Sequence, residues 1–342
     1  MNETLERLVS GIHLSEQEAT DLLIALTDES LPSSMAGALL TALRTKGETA
    51  AEVRGFATAM RKLAKRPTIP DGVRGVDVVG TGGDGSGSLN LSTGAALITA
   101  ACGQPVIKHG NRSISSKSGS ADVLECLGLT LPPDQDAAGA CLETLGFTFL
   151  FAPYFHPAMK VVAPVRRALG IRTIFNILGP LTNPAEPPFC MIGAFSTDVA
   201  ALMADALSGL PIERAFVVHG PPSWDEATPI GPFDLFDVRP GSVSRTKRDP
   251  EAYGIPRCSP EDLAGGSAAE NAGRLRNALQ GETGAHRNAL TLGAGLALEV
   301  SGTVDSLEEG ITAACQAIDS GSTAELLNRL STFASTREQV DV

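Results

Sequence analysis

The chain has no surplus of positive charge: 39 acidic residues stand against 27 basic ones, a net charge of -12. That balance argues against a nucleic-acid-binding role, because gripping a phosphate backbone takes a cationic surface. A small anion held in a locally basic pocket remains compatible with it. Cysteine pairs at C-x-x-C spacing are also missing. Cys102, Cys126, Cys141, Cys190, Cys258 and Cys315 are scattered through mostly apolar surroundings, which predicts buried, reduced thiols. No apolar run approaches the roughly 18 residues of a membrane span, and the stretch from Met1 to Arg7 holds no apolar signal region. A soluble, cytoplasmic protein is expected. Internal repeats, low-complexity tracts and charge runs are absent too, and 342 residues are enough for one large domain or two of unequal size.

What is present changes character near residue 70. Before it the punctuation is helical. Ser15 with Glu18 and Thr49 with Glu52 fit capping boxes, and Val53, Phe56, Ala57, Met60 and Leu63 recur at the spacing of one helical face. Residues 1–70 therefore read as a small all-helical unit, closed by the Pro/Gly-containing connector from Pro67 to Gly75. From Val76 onward, short apolar or β-branched runs alternate with helical segments: Val76–Val79, Pro105–Ile107, Phe147–Phe151, Phe189–Phe195 and Arg214–His219. Alternation of this kind predicts an α/β domain with a mainly parallel central sheet flanked by helices. A Pro-punctuated, helix-prone insert follows Phe155; from sequence it could stay with the sheet or cross back to the N-terminal helices. The C-terminal third reads as ordinary helix and strand.

Two loops carry the chemistry. Gly80-Thr-Gly-Gly-Asp-Gly-Ser-Gly-Ser-Leu-Asn-Leu-Ser-Thr93 and Lys108-His-Gly-Asn-Arg-Ser-Ile-Ser-Ser-Lys-Ser-Gly-Ser120 concentrate glycine, hydroxyl, amide and cationic side chains. Glycines let backbone N–H groups close on an anion, the small polar residues add donors without bulk, and following helices add their positive ends. A phosphorylated substrate is the reading. Gly80, Gly82 and Gly85 satisfy G-x-G-x-x-G, but the next strand ends in Lys108-His109, where a dinucleotide fold wants an acid for the ribose. Walker A fails as well, since Ser86 stands where its lysine belongs. Lys108 supplies a point charge for phosphate, and His109 either orients a substrate or only fills the loop. The adjacent carboxylates Asp225 and Glu226 offer hard oxygens for Mg2+ beside a pyrophosphate. Arg166-Arg167, after Val161-Val-Ala-Pro164, provide a planar fork suited to a carboxylate-bearing cosubstrate.

Together these motifs resemble the anthranilate phosphoribosyltransferase family along nearly the whole chain. The carriers are G-T-G-G-D-G with N-L-S-T, K-H-G-N-R-x-x-S-S-K-S-G-S-A-D-V-L-E, H-P-A-M-K with A-P-V-R-R, and G-I-R-T-I-F-N-I-L-G-P-L-x-N-P. The resemblance implies a small helical domain of residues 1–70 completed by the insert at about 156–186. It would be hinged to a large α/β domain of residues 71–155 and 187–342, with homodimerisation through the helical domain. It further implies that Gly80, Gly83, Asp84, Ser88, Asn90, Leu91, Ser92 and Thr93 hold 5-phosphoribosyl 1-pyrophosphate. Lys108, His109, Gly110, Asn111, Arg112, Ser113, Ile114, Ser115, Ser116 and Ser120 would share that task. Ser92, Asp225 and Glu226 would ligate Mg2+, and Gly80, Asn111 and Arg166 would contact anthranilate.

The expected reaction is Mg2+-dependent phosphoribosyl transfer to the aromatic amine, in tryptophan biosynthesis. It needs no dedicated acid or base; Lys108, Asp225 and Glu226 would support the transition state. Two departures from the family pattern stand out. The acidic loop reads Ser223-Trp-Asp-Glu226 where the family has G-L-D-E or G-M-D-E, and Ser88 replaces a common Thr. A bulky Trp224 is expected to bear on metal geometry or access. It keeps open a paralogue with another aromatic acceptor. A nucleoside phosphorylase of the same fold would have no use for the acidic pair, and a non-catalytic nucleotide- or nucleic-acid-binding relative is disfavoured by the intact loops and the net charge.

Overall fold

The computed structural model describes residues 1–112 and 118–337. Four helices come first: α1 (Asn2–Val9), α2 (Glu16–Leu26), α3 (Ser33–Lys46) and α4 (Ala50–Leu63). Both capping boxes form. Ser15 and Thr49 accept from the backbone N–H three residues on, while Glu18 and Glu52 reach back to the cap N–H, an arrangement worth about 1 kcal/mol at each helix start. Val53, Phe56, Ala57 and Met60 are buried as their spacing predicts, but Leu63, the last residue of α4, is 38% exposed.

The centre is a seven-stranded sheet in the order β3-β2-β1-β4-β5-β6-β7. Its strands are β1 (Val76–Gly80), β2 (Val106–Gly110), β3 (Phe147–Phe151), β4 (Phe189–Gly193), β5 (Arg214–His219), β6 (Phe233–Arg239) and β7 (Ser242–Arg248). The first five run parallel, and β6 and β7 add antiparallel. Parallel strands covered on both faces read as continuous apolar runs, which is why β1–β5 are visible in the sequence. The edge strand β7 carries Arg245, Lys247 and Arg248 instead of an apolar face. Such charges discourage pairing with a second sheet and also hide the strand from a hydrophobic pattern.

Around the sheet lie α5 (Leu91–Ala101), α6 (Ser120–Leu127), α7 (Gln135–Leu145), α8 (Ala152–Phe155), α9 (Met159–Leu169), α10 (Phe175–Leu178) and α11 (Thr197–Leu207). The chain closes with α12 (Ala268–Leu279), α13 (Ala285–Val300), α14 (Leu307–Asp319) and α15 (Ser322–Arg337). The insert crosses back to the N-terminal helices. Its α9 packs on α3, and Val162 and Val165 share one apolar cluster with Leu22, Leu39 and Phe56. That cluster continues into one sheet face through Cys190, Ile192 and Val217, while Val78, Phe216 and Leu290 belong to a second. The cysteines depart from the expectation of uniform burial. All six are free thiols, but only Cys141 and Cys190 are buried and Cys126 is exposed.

From β1 the chain winds towards β2 and β3, then returns to lay β4 on the other side of β1. That reversal opens a crevice beyond the carboxyl ends of β1 and β4, where open α/β sheets bind ligands. Their last residues, Gly80 and Gly193, stand in register at its floor.

Candidate active site

Glycine makes the floor flat. Gly80 ends β1, Gly193 ends β4, and Gly220 follows β5. The loop carrying Asp225 and Glu226 lies directly on them. A Cβ on Gly193 would collide with the Asp225 carbonyl oxygen, one on Gly80 with the Asp225 carboxylate, and one on Gly220 with the Glu226 carbonyl oxygen. Paired backbone bonds of 2.9 and 3.0 Å between Gly220 and Trp224 pin the loop. The Trp224 ring is 5% exposed and sits in the apolar cluster with Val218, Ala227 and Phe233. It anchors the acidic loop from within the core, so any effect on the geometry of the carboxylates passes through the loop backbone and not through a ring standing in the crevice.

Asp225 Oδ2 accepts from the Gly82 N–H at 2.6 Å and from the Thr81 hydroxyl at 3.4 Å. Its own N–H donates to Asp84 Oδ2 at 3.4 Å, and Asp84 Oδ1 accepts from the Ser86 N–H and hydroxyl at 3.0 and 2.9 Å. The glycine loop can roll this tightly because Gly82 and Gly83 adopt φ of 67° and 70°, a region that costs other residues free energy. Glu226 Oε1 accepts from the Ser92 N–H at 3.2 Å, at the positive end of α5. Burial pushes the Asp225 carboxyl well up, with the Asp84 charge adding to it. Burial also raises Glu226 to about 8, reinforced by Asp225 and opposed by Lys108. Three mutually repelling carboxyls around a polar floor are a donor set that a hard divalent cation relieves, and two carboxylates plus a hydroxyl fit the sparse protein ligation of Mg2+. Among the described residues no group of three or more His, Cys, Asp or Glu forms a metal cluster on its own, so an ion here would draw its remaining ligands from water and substrate.

Lys108 is not on the loop surface. It is 1% exposed and its Nζ donates to the Val78 carbonyl and, at 3.3 Å, to Ser92 Oγ. Burial lowers its pKa while Asp77 and Glu226 oppose that shift, so its charge acts from beneath the first turn of α5. Asp77, fully buried in β1, accepts from the His109 N–H at 3.2 Å and from Asn183 Nδ2 at 2.9 Å, and burial raises its carboxyl to about 6. His109 Nδ1 donates to the Gly179 carbonyl at 3.2 Å, and its ring lies 5.1 Å edge-on from that of His156. Burial holds both histidines neutral, near 3 for His109 and near 4 for His156. His109 thereby ties β2 to the insert.

The remaining predicted residues divide. Ser88 pairs through its backbone with Ala264, and Thr93 is buried with no partner for its hydroxyl among the described residues. Leu91 turns its side chain into the core, leaving only backbone for a ligand. Gly110 ends β2; Asn111 is exposed, and its carbonyl accepts from the Ser120 hydroxyl at 3.3 Å. Arg112 is occupied by Asp122 at 2.8 Å and Glu125 at 2.6 and 2.7 Å. Ser113, Ile114, Ser115, Ser116 and Lys117 lie outside the described residues. Arg166 is half-buried over the Phe175 ring at 5.1 Å, with no carboxylate in ion-pair reach among the described residues. Sequence reading passed over Asp77, Asn183, Arg172 and Asn271. Of these, a carboxylate inside the apolar run Val76–Val79 was itself a signal. Arg172 donates to the Gly83 carbonyl and stacks on Phe195 at 4.2 Å, bringing the insert onto the glycine loop.

A glycine-floored crevice at the switch point of a mostly parallel sheet, with a helical unit packed beside the sheet, is the architecture of a class of transferase that this chain matches in both parts. Residues 2–64 match the helical bundle domain, and residues 72–324 the a/b domain, of the glycosyl transferase family. Within that class the chain belongs to the anthranilate phosphoribosyltransferase family. It is 46% identical over its whole length to the anthranilate phosphoribosyltransferase of Desulforudis audaxviator, covering 98% of that protein. The crystal structure of the Thermus thermophilus enzyme superposes with a TM-score of 0.89 at 43% identity, over 96% of this chain and 98% of that one. The Saccharomyces cerevisiae enzyme, solved in complex with PRPP and Mg, gives 0.89 at 26% identity over 98% and 97% of the two chains. The protein is accordingly an enzyme of the glycosyltransferase class.

Proposed function

We propose that the protein transfers the phosphoribosyl group of 5-phosphoribosyl 1-pyrophosphate to the amine of anthranilate, in tryptophan biosynthesis. The observation that carries this reading is the seating of Asp225 on Gly80 and Gly193 and of Glu226 on Gly220, facing the N-terminus of α5 across the glycine loop. Backbone N–H groups of the glycine loop and the first turn of α5 would bind the donor's phosphates. Mg2+, held by Asp225, Glu226 and Ser92, would neutralise charge on the departing pyrophosphate. The amine nitrogen bonds to C1 of the ribose as the bond from C1 to the pyrophosphate oxygen breaks, and the spare amine proton passes to solvent. An aniline needs no prior deprotonation, so the chain's work is holding amine and C1 in line and stabilising the leaving group. Lys108 supports that charge through Ser92.

Arg166, half-buried without an acidic partner among the described residues, suits the anthranilate carboxylate, with Gly80 and Asn111 beside the ring. Because Trp224 lies in the core, it lends no support to a different acceptor. Residues 1–70 with 156–186 would form the small domain, and 71–155 with 187–342 the large one. A groove of about 1060 Å³ between α1, α3 and α9, lined by Leu5, Val9, Ala38 and Leu169, suits the same face of a second copy. Val9 and Ile12 are 69% and 48% exposed at α1 and just after it, and a homodimer would cover them. No helix among the described residues is long and apolar enough to cross a membrane, and a cytoplasmic site of action is proposed. The test is loss of anthranilate fluorescence on mixing the purified protein with anthranilate, PRPP and Mg2+. Rapid loss that EDTA abolishes supports the assignment; no loss, despite thermal stabilisation by PRPP, means another acceptor.

A further inference from the structure

The segment before α12, in the third of the chain that reads as ordinary, is built into the wall of the donor loops. Leu89 N–H donates to the Leu263 carbonyl at 3.0 Å and Gly265 N–H to the Gly87 carbonyl at 2.7 Å, so a short antiparallel bridge flanks the glycine loop. At its end Asn271, in the first turn of α12, is 1% exposed. Its Oδ1 accepts from the Gly266 N–H at 2.6 Å. Its Nδ2 donates to Asn90 Oδ1 at 2.9 Å and to Ser118 Oγ at 2.8 Å. Those two partners also bond to each other: Ser118 Oγ donates to Asn90 Oδ1 at 3.0 Å, and Asn90 Nδ2 to the Ser118 carbonyl at 3.3 Å.

Asn90 is the residue from which α5 starts, and Ser118 precedes the cap of α6. One buried amide therefore ties together the approaches to the two helices whose N-termini flank the donor crevice. A buried amide is tolerated only when its donors and acceptors are met, and removing one partner leaves the others unsatisfied. Fixing the spacing of the two N-termini before a ligand arrives lowers the cost of ordering them around it. Backbone pairing already secures the glycine loop at Gly87 and Leu89, so the amide is not needed to hold the segment in place. Asn90 and Ser118 already bond to each other, and the distinct contribution of Asn271 is to brace that pair against the first turn of α12 so that the spacing of the two helix starts is held.

We propose that Asn271 is a positioning residue for the phosphoribosyl donor, setting the distance between the start of α5 and the start of α6. The inference rests on the donor-site reading given above. Asn271→Leu keeps the volume and deletes the bonds, and Ser118→Ala deletes one partner by a milder change that keeps the test open if the first variant fails to fold. Both variants, and the double variant, are compared with the wild type for KM of PRPP, KM of anthranilate, kcat and Tm. Expected is a rise of about ten- to a hundredfold in KM for PRPP with Asn271→Leu, a smaller rise with Ser118→Ala, and little change in KM for anthranilate. The double variant is expected to fall short of the sum of the two single effects, since both delete the Asn271–Ser118 bond while Ser118→Ala also deletes the Ser118–Asn90 bond. Equal effects on both KM values, a lowered Tm with unchanged KM for PRPP, or strictly additive effects would overturn the positioning role. A wild type that binds PRPP while the variants bind it equally well defeats the role of Asn271 alone. A wild type that does not bind PRPP defeats the donor-site reading and this inference with it.

Discussion

Gly193→Ala is the sharpest test of how the site is assembled. The residue ends β4 beneath the acidic loop, and a methyl group there would approach the Asp225 carbonyl oxygen more than an ångström inside the 3.0 Å that real Cβ atoms do not cross. The obstructing atom is backbone, so no rotamer change relieves it and the loop must slide. That slide pulls Asp225 away from the Gly82 N–H, now 2.6 Å from Oδ2, and shifts Glu226 relative to Ser92. A displacement of about an ångström in a positioning element commonly costs about a hundredfold in rate. The expectation is therefore a kcat down by about two orders of magnitude and a higher Mg2+ concentration for half-maximal activity, read in the fluorescence assay over a magnesium titration. Gly273→Ala, in α12 with open space around its Cβ, is the control and keeps full activity. Wild-type turnover by a folded Gly193→Ala protein would refute the idea that close glycine packing sets the carboxylate positions.

Three further outcomes follow from the same geometry. Trp224→Ala empties a core position and should cost about 3 to 5 kcal/mol of stability in denaturant melts, with activity falling alongside, whereas Trp224→Phe should retain most of both. His109 and His156 have folded pKa values of about 3 and about 4 against an ordinary 6.5. The unfolded chain therefore takes up protons first, and the stability they contribute is intact above pH 6.5 and is lost as the pH falls towards 4. Each is worth about 2 kcal/mol by pH 5. The raised carboxyls of Asp77 and Glu226 act in the opposite direction, so the reading is a difference: His156→Phe should lose less stability than wild type between pH 7 and pH 5, and parallel urea curves would contradict it. Arg166→Ala should raise KM for anthranilate far more than KM for PRPP; equal rises would remove its carboxylate role.

The sequence by itself determined the features that depend on near neighbours. The capping boxes at Ser15 and Thr49, the five parallel strands, the glycine loop and the acidic pair all rest on hydrogen bonds or periodicity within a few residues. Motif spacing sufficed for the family. Only the tertiary structure decided which polar groups face each other and which way a side chain turns. Whether Trp224 faced the site or the core depended on the Gly220 bridge and the space beneath it, and Arg112, which reads as a donor contact, is engaged by Asp122 and Glu125. The edge strand β7 escaped because it faces solvent and needs no apolar alternation, whereas β6, which buries Phe233, Leu235, Phe236 and Val238, carries an apolar pattern that was legible. Asn271 escaped for a different reason: its partner Asn90 is 181 residues away. A buried amide finds its bonds only when distant segments have packed, so its worth is a property of the fold and leaves no local pattern in the chain.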